Sequence, residues 1–264
     1  MRLVTWNVNS LKARLPRVEA WLAEVEPDVV CLQETKLADK AFPDLAFRSL
    51  GYESIHCGEG RWNGVAVLSR VGLDDVVCDF ADGGDPDAEA RLVTATCGPL
   101  RVTSVYVPNG RAVGHDHWHY KLRWLARLRD HVAATRVPGL GTVVCGDFNI
   151  APDDRDVYDP AKYVGATHVS PEERAALAAL CDLGLVDVFR SHYEEGGLFS
   201  WWDYRAGDFH QGRGMRIDLV LADRELAERS TWALIDRNAR KGTQPSDHAP
   251  VLVDFDVAAT TAAA

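Results

Sequence analysis

The sequence predicts an α/β fold in which two antiparallel-rich β-sheets pack together and are flanked by helices. Short apolar segments rich in β-branched residues recur along the whole 264-residue chain. Only three segments show the apolar periodicity of a helix, so strands outnumber helices by about three to one. A parallel sheet built from βαβ units would alternate the two kinds of element, which makes a simple Rossmann-type sheet a poor fit.

The strand predictions depend on segment length, on β-branched content and on flanking Gly, Pro, Asp or Asn residues, which interrupt strands. The predicted strands are residues 3–8, 29–32, 64–68, 76–80, 92–96, 102–107, 142–145, 217–221 and 251–255.

The three helix predictions follow from apolar stripes and from a capping signal. Residues 11–26 and about 117–134 each carry apolar side chains along one helical face. A third helix begins at a capping box formed by Ser170 and Glu173 and ends near Gly184.

Length alone permits one large domain or two small ones. Because no Pro/Ser-rich linker and no fixed-period repeat divides the chain, we predict a single domain over residues 1–256. The Ala/Thr-rich segment 257–264 is predicted to be a frayed tail.

The six cysteines are scattered and form no C-x-x-C pair, and Cys31 and Cys145 lie inside apolar runs. We therefore predict buried reduced thiols and a reducing compartment. No segment has the apolar length of a signal peptide or of a membrane span, so we expect a cytoplasmic protein without a membrane partner.

The formal net charge of −10 argues mildly against a nucleic-acid partner. A local basic face can nevertheless bind phosphates on an acidic protein. Basic residues cluster within 111–129 and 205–216, so overall charge leaves the partner open.

The informative polar residues follow or border apolar strands, where a sheet holds the backbone and leaves the side chain free. One such residue is usually a turn or cap residue, but several that all carry amide, carboxylate or imidazole groups suggest a site. They are Asn7, Glu34, Asp147, Asn149, Asp218, Asp247 and His248.

This residue set favours a hard divalent cation, which binds through oxygen ligands such as Asn7, Glu34 and Asp247. Cys and His residues at zinc-finger spacing are absent, as are a P-loop and a Gly-x-Ser-x-Gly elbow. The remaining chemistry is metal-assisted attack of water on a phosphate ester.

Seven motifs in the same order resemble those of the exodeoxyribonuclease III family of abasic-site endonucleases. They are Thr5-Trp6-Asn7-Val8-Asn9-Ser10, Leu32-Gln33-Glu34-Thr35-Lys36, Tyr106-Val107-Pro108-Asn109-Gly110, Gly146-Asp147-Phe148-Asn149-Ile150-Ala151-Pro152, Trp202-Asp203-Tyr204-Arg205, Arg216-Ile217-Asp218-Leu219 and Ser246-Asp247-His248-Ala249-Pro250. The shorter elements alone would indicate the wider superfamily, which includes DNase I-like nucleases, inositol-polyphosphate phosphatases and sphingomyelinases.

The resemblance implies a DNase I-like, four-layered α/β sandwich of two mixed sheets between helices. It implies incision 5′ to abasic sites and 3′→5′ exonuclease or 3′-phosphodiesterase action on duplex DNA. The expected cofactor is Mg²⁺, with Mn²⁺ as a substitute. The expected partner is duplex DNA with abasic sites, nicks or 3′ ends, bound by a monomer that needs no nucleotide cofactor.

The resemblance also assigns roles to single residues. Glu34, with Asn7 and Asp247, would hold the metal, and three further side chains that lie among the catalytic residues are candidate ligands. Those three are Asp147, Asn149 and His248. Asp147 would orient or deprotonate the attacking water, and Asn149 would hold that water. His248 would contact a phosphate oxygen while Asp218 orients its ring, and the hydroxyl of Tyr106 would lie near the scissile phosphate.

The DNA-binding candidates are less distinctive in sequence. An aromatic segment, 199–205, runs into a Gly- and Arg-containing stretch that fits a mobile loop entering a duplex groove, although core packing explains part of it. The resemblance places the apolar wall of a pocket for the abasic sugar at Trp201, Met215 and Ile217. Arg205 and Arg213 supply basic groups in the loop, Lys121 near the start of the second helix is a candidate phosphate contact, and Asn109 of the Tyr-Val-Pro-Asn-Gly motif is a further DNA-binding candidate. For Lys121, a solvated helix face explains the charge almost as well.

Two patterns keep alternative interpretations. Glu89 and Arg91 resemble a Glu-x-Arg pair of the family, but a surface salt bridge is nearly as good an explanation. His115, His117 and His119 alternate as metal ligands can, yet loop histidines without a second cluster are more often incidental.

Two other functions stay open for the whole chain. One is a superfamily phosphatase or phospholipase that acts on small or lipid phosphates. The other is a catalytically silent DNA-binding module.

Overall fold

The computed structural model describes residues 1–258, apart from the side chain of Ala206. It contains two six-stranded mixed β-sheets. The first sheet consists of β1 (Arg2–Asn7), β2 (Val29–Gln33), β3 (Glu53–Cys57) and β4 (Val65–Ser69), followed after the second sheet by β11 (Ser230–Ile235) and β12 (Val251–Phe255). The second sheet consists of β5 (Asp74–Cys78), β6 (Leu92–Cys97), β7 (Leu100–Tyr106), β8 (Gly141–Asp147), β9 (Leu185–Asp187) and β10 (Asp218–Asp223).

Seven α-helices accompany the sheets within residues 1–258. They are α1 (Leu11–Val25), α2 (Asp44–Ser49), α3 (Asp116–Thr135), α4 (Pro171–Cys181), α5 (Val188–His192), α6 (Asp208–Gln211) and α7 (Arg224–Glu228). The helices α1 and α2 cover the outer face of the first sheet and form one core with it, and α3 and α4 cover that of the second sheet and form another. A third core fills the space between the sheets, and the short helices α5, α6 and α7 pack against it. The predicted fold, two packed sheets between helical layers, is confirmed.

Each sheet has one parallel strand pair near its centre. The strand order is β11-β12-β1-β2-β4-β3 in the first sheet and β5-β6-β7-β8-β10-β9 in the second. Strands β1 and β2 are parallel, as are β7 and β8, whereas the other neighbours are antiparallel. Both parallel pairs therefore end together, one at Asn7 and Gln33, the other at Tyr106 and Asp147.

All nine predicted strands are present, with ends shifted by a few residues. The sequence patterns do not predict β3, β9 or β11. These three strands lie at sheet edges, where one side lacks a partner strand and polar or exposed residues are tolerated. Their composition therefore lacks the buried apolar run by which the other strands are recognised.

The capping box predicted for the third helix is confirmed at the start of α4. The hydroxyl of Ser170 accepts a hydrogen bond from the Glu173 N–H at 3.3 Å, and Oε2 of Glu173 accepts one from the Ser170 N–H at 3.2 Å. The helix ends at Cys181, slightly before the predicted end at Gly184.

The prediction that every cysteine is a free thiol is wrong. Cys57 at the end of β3 and Cys78 at the end of β5 form a disulfide, with their Cα atoms 6.1 Å apart. Packing the two sheets brings these edge strands together, and sequence spacing carries no signal for that approach. The other four cysteines are free, and three of them are buried.

None of the helices within residues 1–258 is long and apolar enough to cross a membrane. Of the predicted frayed tail, only Val257 and Ala258 belong to the described part of the chain, where Val257 packs partly against the core between the sheets. The prediction for 259–264 lies outside the described residues.

Candidate active site

The polar residues predicted at the ends of strands meet where the central strands of the two sheets end. Asn7 ends β1, and Glu34 comes directly after β2, while Asp147 ends β8 beside the antiparallel start of β10 at Asp218. Glu34 and Asn149 both have a left-handed backbone, with φ of 51°. Such backbone conformations in residues other than glycine are costly and concentrate at functional sites.

Asn7 lies between two carboxylates and links the two sheets. Its amide nitrogen donates hydrogen bonds to Oε1 of Glu34 at 2.8 Å and to Oδ2 of Asp147 at 2.9 Å. Its side-chain oxygen accepts from the Asn9 N–H at 2.9 Å. Asn7 thus orients the two carboxylates, and because its amide oxygen keeps a second lone pair, its role as an oxygen ligand stays a prediction.

His248 lies between two buried acids. Its Nδ1 is 2.8 Å from Oδ2 of Asp218, and its Nε2 is 3.7 Å from Oδ2 of Asp147. Ser200 also donates its hydroxyl to Oδ2 of Asp218 at 2.7 Å. Burial by itself would lower the pKa of His248, but Asp218 and Asp147 outweigh it and raise this pKa to about 10. His248 is therefore a protonated ring that Asp218 holds in place.

The pKa of Asp147 is raised as well, but in a carboxyl group a raised pKa favours the neutral form. Burial raises the pKa of Asp147 to about 7, against the opposing charge of His248. One oxygen accepts from Asn7, and the other accepts from the Asn149 N–H at 2.9 Å. A carboxylate with a pKa near neutrality and a fixed orientation is suited to accept a proton from water.

Three of these residues form a possible metal site. Glu34, Asp147 and His248 each offer one ligand atom, and these atoms lie within 4.8 Å of one another. The carboxylate oxygens are the donors that a hard divalent cation prefers. The residues present therefore fit such an ion. Lys36 neutralises part of the negative charge, since its Nζ lies 2.9 Å from Oε2 of Glu34.

Asp247 is not a member of this group, although it was predicted to help hold the metal. Its Oδ1 accepts from the side chain of Asn9 at 2.9 Å, and its Oδ2 accepts from Nε1 of Trp201 at 3.1 Å. Both oxygens are thus directed to neighbouring side chains, and Asp247 holds the Trp201 ring next to the site.

Tyr106 is held by a buried arginine. The guanidinium of Arg91 lies 4.5 Å from the centre of the Tyr106 ring and donates to the Tyr106 carbonyl at 3.1 Å. Glu89 pairs with Arg91 at 2.5 Å. Arg91 is only 9% exposed, so this pair is not a plain surface salt bridge. Burial and the nearby Glu34 raise the pKa of Tyr106, so the phenol keeps its proton and can act as a donor.

Comparison with known proteins assigns the family. The sequence model of the Endonuclease/Exonuclease/phosphatase family matches residues 4–248. Exodeoxyribonuclease III of Haemophilus influenzae is 34% identical over 267 residues, which cover 97% of this chain and all of that protein. The chain belongs to this family, in its exodeoxyribonuclease III branch.

Solved structures of the branch share the whole fold. An AP endonuclease from Archaeoglobus fulgidus has a TM-score of 0.93 and 36% identity, and it covers 97% of this chain and 100% of its own. The 3′-5′ exonuclease NExo from Neisseria meningitidis has a TM-score of 0.94 and 39% identity with the same coverage. A structure of the 3′ phosphatase NExo from Neisseria contains a product DNA hairpin.

The structure contradicts the predicted phosphate contact of Lys121 in this member of the branch. The Lys121 side chain is fully buried, and its Nζ lies 2.5 Å from Oε1 of Glu173. The helix α3 turns this position toward α4 and not toward solvent. Sequence periodicity alone did not separate the two faces, because a lysine near a helix start is normally exposed.

Asn109 lies next to Asn149 at the rim of the site. Its Nδ2 donates to Oδ1 of Asn149 at 3.3 Å, and its Oδ1 accepts from the Arg111 N–H at 3.1 Å. Asn109 is exposed, so DNA could reach it. Its contact with DNA stays a prediction.

Trp201 lies directly beside His248, and Met215 lies beside Trp201. Trp201 pairs through its main chain with Met215 and forms a bridge to His248. Met215 is buried in a small apolar cluster with Val157 and Ile217, against which Trp201 packs. The apolar residues predicted to form the pocket wall therefore lie close to the acidic site. Contact between these residues and a sugar stays a prediction.

The two predicted basic residues of the following loop are paired with local acids. Arg205, whose side chain is 88% exposed, binds Asp203 at 2.6 Å. Arg213 binds Asp208, with Nε at 2.8 Å from Oδ1. These pairs reduce the positive charge that the loop presents, because each cation has a neighbouring anion.

The alternating histidines lie outside the metal group found among the described residues. His115 caps α3 by accepting from the His117 N–H at 3.0 Å. The His119 ring contacts Trp118. These contacts give His115 a local structural role.

Sequence reasoning missed three residues that contact the site: Lys36, His168 and Ser200. Lys36 belongs to the Leu-Gln-Glu-Thr-Lys motif, so its contact with Glu34 could have been predicted from the sequence. His168, whose Nδ1 lies 2.7 Å from the Asn149 carbonyl, and Ser200 are distant in sequence and carried none.

Proposed function

We propose that this chain is a divalent-metal-dependent DNA-repair nuclease that hydrolyses phosphodiester bonds in duplex DNA. The observation that carries the proposal is the buried network that joins Glu34, Asn7, Asp147, Asp218 and His248 across both sheets. The relatives named an exodeoxyribonuclease III, an AP endonuclease and a 3′-5′ exonuclease support DNA as the substrate. The structure of a relative with product DNA supports it further.

The proposed cofactor is Mg²⁺, with Mn²⁺ as a substitute. Glu34 would be the main ligand, and Asp147 lies close enough to contribute an oxygen. His248 lies within the same distance, but its protonated ring has no free lone pair for the ion, so it would serve as a donor to phosphate. The chemistry that such a cation supplies is neutralisation of the charge that develops on the phosphate oxygens.

The residues of this chain would divide the remaining work. Asp147, whose pKa of about 7 follows from its burial, would accept the proton of the attacking water. Asn149, which fixes Asp147 through its main-chain N–H, would hold that water with its amide. The protonated ring of His248 would donate to a phosphate oxygen, and Tyr106 would donate a hydrogen bond from its phenol near the scissile phosphate or leaving oxygen. Such preorganised donors stabilise the charge of the transition state.

The proposed substrates are duplexes with an abasic site, a nick or a blocked 3′ end. Trp201 and Met215 would form the apolar wall for the extruded sugar, with Asn109, Arg205 and Arg213 near the backbone. A monomer without a nucleotide cofactor is sufficient for this proposal, because all of the residues above come from one chain.

The test is a substrate panel with purified protein. Abasic, nicked, 3′-phosphate and RNA–DNA duplexes are each incubated with Mg²⁺, with Mn²⁺ or with EDTA. We expect cleavage or 3′ trimming of the DNA duplexes with either cation and none with EDTA, and the panel ranks incision against 3′ processing. Folded protein that cleaves no DNA substrate with either cation would rule the proposal out.

The same panel tests the other two functions. Hydrolysis of an inositol phosphate or a phospholipid in preference to DNA would favour the phosphatase or phospholipase. Metal-independent DNA binding without cleavage would favour the silent binding module.

A cytoplasmic location is also a proposal. The four free cysteines support a reducing environment, whereas the Cys57–Cys78 disulfide does not. Fractionation of cells followed by immunodetection of the protein would decide it.

A further inference from the structure

A buried ion pair lies directly behind the site without taking part in the proposed chemistry. Lys121 on α3 and Glu173 on α4 have fully buried side chains, 2.5 Å apart at Nζ and Oε1. Burial of two charges is expensive even when they pair, and apolar residues of similar size often replace such a pair without loss of stability. A stability role alone therefore does not explain a lysine here.

The ammonium of Lys121 makes two further contacts, both with the site. Its Nζ donates to the carbonyl of Asn149 at 2.7 Å and to the carbonyl of Asn109 at 3.4 Å. A lysine ammonium has three N–H donors. With Glu173 as the third acceptor, every donor is directed to an acceptor.

Glu173 in turn is held independently of Lys121. Its Oε1 accepts from Thr167 at 2.8 Å, and its Oε2 accepts from the hydroxyl of Ser170 at 2.7 Å. The first turn of α4 thus presents a rigid carboxylate that fixes the position of the ammonium.

Asn149 is the residue that needs such support. Its backbone is left-handed, with φ of 51°, a conformation that persists only where surrounding contacts enforce it. Its N–H holds Oδ1 of Asp147 at 2.9 Å, and its Nδ2 donates to the Val107 carbonyl at 2.9 Å. The Asn149 carbonyl belongs to the 149–150 peptide and the Asn149 N–H to the 148–149 peptide, and the left-handed backbone of Asn149 joins the two. A contact that fixes the carbonyl therefore helps to keep this backbone conformation, and with it the Asn149 side chain and the N–H that holds Asp147.

We propose that Lys121 is a positioning residue for the hydrolytic reaction, and that it acts by clamping the Asn149 and Asn109 carbonyls while Glu173 anchors its ammonium. His168, whose Nδ1 lies 2.7 Å from the same Asn149 carbonyl, is a second donor on that clamp. The inference rests on the proposed nuclease function, since it concerns the geometry of that site.

The experiment compares Lys121→Met, Glu173→Gln and the double variant with wild type. Steady-state kcat and KM are measured on one cleavable duplex, and Tm is measured on the same samples. The matched controls are Glu172→Gln, which removes the neighbouring exposed carboxylate of α4, and Arg129→Met, which removes a cation from the far part of α3.

If Lys121 positions the site, kcat should depend on whether residue 121 carries an amine and should not change in parallel with Tm. Lys121→Met is expected to lower kcat by about 10–100-fold with little change in KM, the usual range for residues that orient a catalytic group. Glu173→Gln is expected to lower Tm but to keep most of kcat, because Lys121 still reaches both carbonyls. The double variant leaves no unpaired buried charge, so its Tm should recover above that of Lys121→Met while its kcat stays low.

Two results overturn the inference. One is a double variant with the kcat of wild type. The other is a kcat that falls and recovers in step with Tm across all three variants, as a purely structural pair predicts. Because the double variant removes both charges, it tests the inference even where Lys121→Met does not fold. Wild-type protein that cleaves no DNA would instead overturn the proposed function.

Discussion

His248 and Asp147, two buried residues 3.7 Å apart, differ in the protonation state that their surroundings favour. His248 is kept protonated by the acids around it, while Asp147 has a pKa raised to about 7 by burial. At neutral pH the pair therefore combines a cationic donor with a carboxylate that can gain a proton. This combination suits hydrolysis, in which one proton leaves water and negative charge grows on phosphate.

The replacement Asp147→Asn tests the proposed base. An amide of the same size cannot accept the proton, so we expect kcat to fall by about 1,000-fold or more. Because Asn keeps an acceptor for the Asn149 N–H, Tm should change little. The measurement is cleavage of an abasic or nicked duplex with Mg²⁺, with the exposed Glu53→Gln as the control. Activity of Asp147→Asn within tenfold of wild type would remove Asp147 from the mechanism.

A buried histidine away from the site makes stability depend on pH. The Nδ1 of His131 accepts from the Ala81 N–H at 2.8 Å, and its Nε2 lies 2.8 Å from Oγ1 of Thr94. Burial lowers the pKa of His131 from 6.5 to about 4, with a smaller contribution from Arg101. Between these two values the unfolded chain binds the proton and the folded chain does not, so stability is lost as pH falls through this window.

We therefore expect the free energy of unfolding of wild type to fall between pH 6.5 and 4 by about 3 kcal/mol more than that of His131→Gln. Urea unfolding of both proteins at pH 7, 5.5 and 4 measures the difference. Parallel curves would show that His131 does not cause the dependence.

At the scale of elements, the parallel strand pairs place the catalytic residues. β7 and β8 end at Tyr106 and Asp147, which are direct partners in the register. Gly146 precedes Asp147 with φ of 151°, and a Cβ at this position would lie 1.9 Å from the Val105 carbonyl oxygen. Only a residue without a side chain lets the two strands remain this close.

Gly146→Ala should therefore push β8 away from β7, lowering stability by about 2 kcal/mol and displacing both Asp147 and Tyr106. The control is Gly165→Ala, a glycine with positive φ and nothing within 4 Å of its Cβ, which isolates the cost of the left-handed backbone at about 1 kcal/mol. Chemical unfolding and duplex cleavage measure the two effects. Equal costs for the two variants would show that close approach is unimportant.

At the scale of the whole molecule, the two sheets share one core and are also joined covalently. The disulfide between Cys57 and Cys78 links an edge strand of each sheet across a sequence separation of 21 residues. A link of this length restricts the unfolded chain and stabilises the fold by about 3 kcal/mol in the chain-entropy description.

A reductant should therefore lower the Tm of wild type but leave that of a Cys57→Ser/Cys78→Ser variant unchanged. Calorimetry with and without dithiothreitol measures the shift, and Cys181→Ser, which removes a free cysteine, serves as the control. An unchanged Tm of wild type under full reduction would contradict the stabilising role of this bond.

The sequence by itself determined the features that depend on neighbouring residues. The central strands were recognisable because each is a continuous apolar run, and the α4 capping box because its two members are three residues apart. The candidate catalytic residues were recognisable because they stand at the ends of those strands within local motifs.

Only the tertiary structure decided the features that depend on which distant residues meet. It buried Lys121 against Glu173, turned the amide nitrogen of Asn7 to two carboxylates and engaged Asp247 with Trp201. It also paired Cys57 with Cys78 and added the edge strands β3, β9 and β11. The physical reason is that burial and hydrogen-bond partners across two packed sheets arise from contacts between segments far apart in the chain, for which local sequence carries no signal.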